Sequence, residues 1–566
     1  MENKERRKIK KSDMQTLKWI YSICRSERFK VYLLIVTNII HGVLTVVFAG
    51  FSKKIIDAAT VDKSFEKVVY YALMFLGVLI FQMCLSLLSR STSERCKAKI
   101  EWHLKQYMLK SIMKKEYASV SKYHTGELQN RMFNDVTVIS EGFTTILPSV
   151  LFFLVRLFSA FTYLVVIDRI FALAFFVGGI AVFLCTQLFR KTLKRLHKSV
   201  QETEGKTRSF IQEAVTSLLV VKSFSVEKKI ADEADELQGV NYKAKMKRRF
   251  FGIAANAGIT FVFSLGYIFA ISYGAYMLVN DIVTYGTVTA MLQLVNQIQS
   301  PFAALSGVMP KYFALIASAE RLIEIDSLPE ETSDNSAIEN PQEVYNNLKS
   351  INFNSISFAY DRDVILDNTS LKIDKGDFVA IMGISGIGKS TLLKLLLGVF
   401  KVNDGNIELE LENENIEVDN KTRRLFSYVP QGNFLLSGTI RENLTFINDE
   451  VTEDEIAQAI NISCSDSFIN DLPDGIETVI GERGIGLSEG QLQRLAIARS
   501  LLSKAPVILL DEATSALDEE TEKRFLTNLK QLDNKTCVIV SHKKAALEIC
   551  NKHVQIIDSK IVVEEN

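Results

Sequence analysis

The chain has 566 residues, no formal net charge, 48% hydrophobic residues and only 8 prolines. At about 150 residues per domain it holds several domains, and its composition excludes disorder and collagen-like repeats. A mean hydropathy of +0.13 is high for a soluble enzyme of this size, and the charge is segregated. Residues 1–320 carry roughly 42 Lys/Arg against roughly 24 Asp/Glu, and the remainder reverses the ratio. The overall charge is silent on partners, and no nucleic acid is expected among them. Cys24, Cys84, Cys96, Cys185, Cys464, Cys537 and Cys550 form no C-x-x-C pair or Cys/His cluster, so free thiols are expected.

The N-terminus is basic (Lys4, Arg6, Arg7, Lys8, Lys10, Lys11). Asp13–Arg28 follows, an amphipathic segment (Leu17, Trp19, Ile20, Tyr21, Ile23) that reads as a helix in the membrane interface. Six apolar stretches then reach the about 20 residues a bilayer requires. They are Val31–Phe51, Val68–Ser89, Phe143–Ile167, Ile170–Phe189, Phe251–Val279 and Ile282–Pro310. The first is too long for a signal-peptide core. The long connections Arg90–Gly142 and Arg190–Phe250 carry about ten and about fifteen basic residues, which places them, both termini and everything after the sixth span in the cytoplasm. Both are helical in pattern, with turns expected near Ser119–Gly126 and Ser223–Lys228. The other connections are short: Ser52–Lys67, Asp168–Arg169 and Asn280–Asp281. The expected organisation is a cytoplasmic N-terminus and interfacial helix (1–28), a six-span domain (29–325), a polar linker broken by Pro329 and Pro341 (326–348), and a C-terminal domain (349–566).

Within the sixth span, Gln293, Asn296, Gln297 and Ser300 share one helical face. They either line a substrate path or hydrogen-bond between helices, at about 0.6–2 kcal/mol per contact. Arg156 lies near the middle of the third span, where a charge costs about 2.5–3.5 kcal/mol or more. It meets either an anionic substrate group or a polar partner on a neighbouring helix. His41 in the first span reads as a packed, neutral histidine.

After the linker the apolar period becomes two (Ile351, Phe353, then Ile356, Phe358, Tyr360), the pattern of strands. The apolar run Phe378–Met382 leads into Gly383-Ile-Ser-Gly-Ile-Gly-Lys-Ser390 and then the helix former Thr391–Leu397. This is a phosphate-binding loop in its strand–loop–helix setting, with Lys389 for the β/γ-phosphates of ATP and Ser390 for Mg²⁺. Val507–Glu512 is an apolar strand ending in two carboxylates. Asp511 suits the Mg²⁺ shell, and Glu512 suits a base for the attacking water.

Between these motifs lies Leu487-Ser-Glu-Gly-Gln491 followed by Leu-Gln-Arg-Leu-Ala-Ile-Ala-Arg-Ser. This resembles the signature of ATP-binding-cassette (ABC) proteins. Other elements of that family stand in order: Tyr360, Gln431, Gly481-Glu-Arg-Gly484, Ser515-Ala-Leu-Asp518 and His542. Over its whole length the chain resembles a half-size ABC exporter, and Tyr123–Arg131 and Val220–Glu227 resemble its two coupling regions. The implied fold is a multi-domain membrane protein: an all-α six-helix transmembrane domain, then an α/β P-loop ATPase cassette with a helical subdomain.

The resemblance implies ATP and Mg²⁺ as cofactors. Nucleotide would bind at Tyr360, Gly383, Ser385, Gly386, Gly388, Lys389, Ser390 and Thr391, and across a dimer interface at Ser488, Gly490, Gln491 and Asp518. Mg²⁺ would be held by Ser390, Gln431 and Asp511, and hydrolysis would use Glu512, His542 and Gln431. One cassette is then half a machine, so a second half-transporter, identical or different, is an expected partner. ATP-driven export of an amphipathic small molecule or peptide across the cell membrane is the leading expectation. A lipid or lipid-linked-glycan flippase is the alternative, and a nucleotide-gated membrane sensor is the alternative of another class. Position 489 is Glu where the family usually has Gly. A peptidase domain ahead of the spans is not expected, which disfavours an exporter that trims its own peptide cargo.

Overall fold

The computed structural model describes residues 2–331, 338–432, 435–448, 450–481, 486–532 and 534–565. They form two units. The first comprises Met1–Lys110 and Thr125–Asp326; the second comprises Ser111–His124 and Ser327–Asn566. The short segment Ser111–His124, an interruption in the first half of the chain, thus groups with the C-terminal residues.

The first unit is all helical. α1 (Glu2–Ile23) passes through a 3₁₀ turn, Cys24–Glu27, into α2 (Arg28–Thr60). α3 (Phe65–Lys114), α4 (Val136–Ile167), α5 (Arg169–Thr216), α6 (Glu227–Val279) and α7 (Tyr285–Asp326) follow. A helix of 50 residues is about 75 Å long, far more than the hydrocarbon core of a bilayer. The helices therefore run on through the long basic connections, as their pattern requires. Among the described residues, Asp13–Thr60, Phe65–Lys114, Thr125–Ile167 and Glu227–Val279 are long and apolar enough to cross a membrane. α5 opens with the apolar stretch Arg169–Gly179.

α2, α4 and α7 pack around a core of small and larger aliphatic side chains, including Val46, Ala49, Ala160, Leu164, Ala290, Met291 and Leu294. Small residues let helix backbones approach where lipid offers no hydrophobic drive. The apolar stretch of α3 buries none of its residues against the described residues. α1 is tied to the end of α7 by Trp19 Nε1, which donates to Asp326 Oδ2 at 3.1 Å. One expectation needs correction. The sixth helix begins at Tyr285, and not at Ile282, because the Thr284 hydroxyl caps it by accepting from Thr287 N at 3.2 Å.

The second unit is built on two main sheets and a small ribbon of β7 (Gly438–Thr439) and β8 (Val479–Ile480). The antiparallel sheet has the order β2-β1-β4-β5 (Asp363–Asp374, Leu348–Tyr360, Asp404–Leu411, Asn415–Glu417). In β1 the apolar positions shift from odd to even numbers at a bulge, where Ser355 has φ +46°. The bulge keeps Ile351, Phe353, Ile356 and Phe358 in the core despite the shift. The second sheet has the order β12-β11-β3-β10-β9-β6. Its members are β3 (Phe378–Met382), β6 (Phe426–Val429), β9 (Val507–Asp511), β10 (Thr536–Val540), β11 (Lys552–Ile557) and β12 (Lys560–Glu565). All are parallel except β12 at the edge. A helical subdomain, including Ile440–Thr445, Glu453–Ile462 and the signature helix α9 (Glu489–Leu502), packs around Leu492, Leu495 and Leu502. The phosphate-loop helix is α8 (Lys389–Leu396), and α10 (Glu519–Lys530) follows β9.

Candidate nucleotide site

The parallel sheet explains how residues distant in sequence meet. Strands β3, β10, β9 and β6 lie side by side, so their carboxyl ends share one edge, where parallel α/β sheets place their ligands. From β3 comes the loop Gly383–Gly388, from β10 His542, from β9 Asp511 and Glu512, and from β6 Gln431. Register aligns them: Val540 pairs with Asp511, and Leu510 with Val429.

The loop turns through glycines with φ of +147°, +84° and +112° at 383, 386 and 388. A side chain at Gly388 would also collide with Ile365. Ser385 is exposed in this loop, and its backbone passes the N-terminus of α8, where N–H groups and the helix dipole attract anions. Lys389 is 5% exposed. Its ammonium donates to Gly383 O at 2.7 Å, Ile384 O at 3.2 Å and His542 Nε2 at 3.1 Å. An ammonium has only donors, so Nε2 accepts here.

Asp511 is 1% exposed. Its Oδ1 accepts from Ser390 Oγ and its Oδ2 from Tyr428 Oη, both at 2.9 Å. Burial pushes the Asp511 carboxyl above the usual carboxylate range, and these two hydrogen bonds pull against that shift. Burial, and then the Asp511 carboxylate, push the Tyr428 phenol up, so it stays protonated as a donor. Glu512 holds φ +51°, with its N–H donating to Val540 O at 3.1 Å. Gln431 Nε2 donates to Glu512 Oε2 at 2.7 Å. A hydroxyl, a buried carboxylate and an amide oxygen form a hard oxygen set of the kind Mg²⁺ prefers beside phosphates. The residues present fit both ATP and the cation.

Tyr360 closes the site on the antiparallel-sheet side. Its hydroxyl lies 3.3 Å from Thr391 Oγ1. Its ring meets Phe358 and Phe400 edge-on at 4.9 and 5.4 Å, leaving it 37% exposed as a platform.

The signature residues stand apart. Ser488 caps α9: Gln491 N donates to Ser488 Oγ at 3.3 Å, and Ser488 N to Gln491 Oε1 at 2.7 Å. Gln491 therefore spends its side chain on the capping box. A Cβ on Gly490 would sit 2.8 Å from Ala516 O, so only Gly lets the helix lie against Ser515–Asp518. Gln493 ties the two segments, donating to Ser515 Oγ at 2.9 Å and accepting from Ala516 N at 3.0 Å. Asp518 caps α10 by accepting from Thr521 N at 2.9 Å, and this backbone donor holds its carboxyl below the usual range. Among the described residues, no hydrogen bond joins Ser488, Gly490, Gln491 or Asp518 to Gly383–Thr391. One chain thus displays two separate half-sites. Glu482, Arg483 and Gly484 of the motif before the signature lie outside the described residues.

Tyr428 and Gln493 were not singled out from the sequence. The available signal for Tyr428 was a phenol in the short apolar strand Phe426–Val429, whose hydroxyl needs a partner when buried. Gln493 had no local signal, because its partners lie across a turn.

Two family models match this chain: that of the ABC transporter transmembrane region over residues 31–302 and that of the ABC transporter cassette over 366–515, together well over half of it. The chain is an ABC transporter. A lipid A-core flippase from Syntrophus aciditrophicus is 27% identical over 568 residues, covering 97% of this chain and 91% of that protein. ABC transporter B family member 1 from Dictyostelium discoideum is 26% identical over 99% of this chain, which spans 62% of the length of that relative. A bacterial Atm1-family ABC exporter solved with ATP bound shares the fold, with TM-score 0.79 at 22% identity over 94% of each chain. In this ABC transporter the transmembrane region precedes the nucleotide-binding cassette.

In the transporter's membrane helices the polar face of α7 divides. Gln297 is 9% exposed, and its Oε1 accepts from Arg156 Nε at 3.2 Å while its Nε2 donates to Thr45 O. Three helices meet at this node. Gln293 is half-buried, with no partner for Oε1 among the described residues, while Asn296 and Ser300 are exposed. His41 packs against Phe152 and sits 3.0 Å from Gln82 Nε2.

Glu489 is exposed in the first turn of α9. Such a carboxylate gains from the helix dipole but opposes an approaching phosphate. In a Glu512→Gln background, Glu489→Gly is expected to lower the ATP concentration for half-maximal dimer closure about two- to fivefold. Closure at equal or higher ATP would confine Glu489 to stabilising its helix.

Proposed function

We propose that two of these chains, or one with a related half-transporter, bind and hydrolyse Mg²⁺-ATP between their cassettes to export an amphipathic molecule. The observation that carries this reading is the pair of half-sites. Lys389, Ser390, Asp511, Gln431 and Glu512 form one; Ser488 and Gly490 form the other, and among the described residues no hydrogen bond joins Ser488 or Gly490 to the phosphate loop. In the proposed roles, Lys389 and the loop N–H groups bind the phosphates. Ser390, Asp511 and Gln431 would hold Mg²⁺, which would supply neutralisation of phosphate charge when bound. Glu512 takes the proton of the attacking water, with Gln431 orienting its carboxylate. His542 contacts the same phosphate end, Tyr360 stacks on the adenine, and Ser488 of the facing chain completes the pocket. The cassettes and N-terminus lie on the cytoplasmic side in this reading, as the basic connections support.

A lipid or lipid-linked-glycan flippase is the second reading, supported by Arg156 and by the name of the Syntrophus relative. Among the described residues, Gln297 engages Arg156 through Nε. Vanadate-sensitive ATPase activity in lipid nanodiscs, screened with amphipathic compounds and lipids, tests both readings. Stimulation by one class identifies it, whereas ATP binding without turnover would favour the sensor. Arg156→Ala is expected to raise the concentration of an anionic amphiphile giving half-maximal stimulation about tenfold, the loss of one charge-assisted hydrogen bond. Unchanged stimulation with a lowered melting temperature would assign Arg156 to helix packing.

A further inference from the structure

We infer that Tyr428 is a positioning residue for the Mg²⁺-binding carboxylate of Asp511. The inference rests on the proposed role of Asp511. Strand β6 runs parallel to β9, with Tyr428 opposite Leu509. From there the phenol reaches two residues along the neighbouring strand and donates to Asp511 Oδ2 at 2.9 Å. The carboxylate is thus held at both oxygens, by Ser390 on Oδ1 and Tyr428 on Oδ2. The two donors are not equivalent. Ser390 is itself a proposed metal ligand, so its hydroxyl serves both the cation and Asp511. Tyr428 stands outside the ligand set, and its bond constrains Asp511 whatever Ser390 does. Two donors on opposite oxygens fix the plane of a carboxylate, which a single donor leaves free to rotate. Asp511 is 1% exposed, so water has little access to replace a missing donor. The aromatic body of Tyr428 packs against the apolar core of the cassette, and its hydroxyl alone does the positioning.

The test uses the full-length transporter in nanodiscs, in a Glu512→Gln background so that nucleotide is retained. Mn²⁺ is the probe, and its binding in the presence of ATP is read by electron paramagnetic resonance. Tyr428→Phe keeps the ring and removes only the donor. It is expected to weaken Mn²⁺ binding about tenfold, the usual weight of a hydrogen bond to a charged group, and to broaden the Mn²⁺ spectrum. ATP binding in EDTA, measured on the same sample, is expected to stay within about twofold, because Asp511 acts on the cation and not on the nucleotide. Mn²⁺ binding within about twofold of the parent would overturn the inference, since hydrogen bonds to charged groups weigh more than that. So would an equal loss of ATP binding with and without the cation, which marks a packing defect. Asp511→Asn separates this from the wider reading. If it loses Mn²⁺ while Tyr428→Phe does not, only the role of Tyr428 fails. If Asp511→Asn binds Mn²⁺–ATP like the parent, the metal assignment of the site fails.

Discussion

Glu512→Gln slows ATP hydrolysis about 10²–10⁴-fold while leaving ATP binding intact, the weight of one positioned general base. The local geometry makes this substitution clean. Glu512 Oε2 accepts from Gln431 Nε2 at 2.7 Å, and a glutamine can keep that bond through its amide oxygen. The backbone at φ +51° is already paid for by the Val540 contact and is unchanged by the swap. What is lost is the capacity to take a proton from water. Turnover measured as phosphate release, with nucleotide binding followed by fluorescence, checks both halves. Hydrolysis within a few-fold of wild type would move the base elsewhere in the site.

Lys389→Ala lowers ATP affinity about ten- to a hundredfold and hydrolysis with it, because a charge-assisted contact to phosphate is lost in ground and transition states alike. In the structure this ammonium is nearly buried and its hydrogen bonds go to Gly383 O, Ile384 O and His542 Nε2. It lies across the mouth of the loop whose N–H groups the phosphates need. Its removal frees two loop carbonyls and deprives the imidazole of a donor, so the loop relaxes as well as losing charge. Nucleotide titration of the purified transporter decides the matter. Unchanged ATP affinity would contradict the role.

The catalytic edge was legible because its chemistry is local in sequence. Gly383–Ser390 carries its own turn geometry, and Val507–Glu512 carries its own strand. What the sequence could not order was the neighbourhood of these strands, and with it the hydroxyl of Tyr428 on Asp511. That contact depends on which strand lies beside β9, a tertiary fact with no local pattern. Gln293, Asn296, Gln297 and Ser300 were legible as one face of a helix, but their division was not. Whether Gln297 turns toward Arg156 or toward a cavity follows from the rotation of α7 against α2 and α4. The bulge at Ser355 was visible only as a break in alternation, and the capping role of Asp518 competes with the interface role its motif implies. The grouping of Ser111–His124 with the C-terminal unit is also a tertiary outcome. There Glu116 pairs with Lys401 at 2.8 Å, and Tyr117 meets Phe400 edge-on.

In the proposed mechanism each nucleotide site is shared between two chains. This sharing is tested by nucleotide occlusion in a tandem-linked dimer of the full-length transporter carrying Glu512→Gln in both halves. Lys389→Ala removes the phosphate cation from one half-site. Ser488→Asp keeps a good helix cap but sets an anion where the γ-phosphate would face it. Placed in opposite halves, the two changes should spoil the same shared site and leave one nucleotide occluded per dimer. Placed together in one half, they should spoil both sites and leave none. Occlusion by the dimer with both changes in one half, and none when they are split, would mean that each chain forms a complete site alone, and would contradict the account.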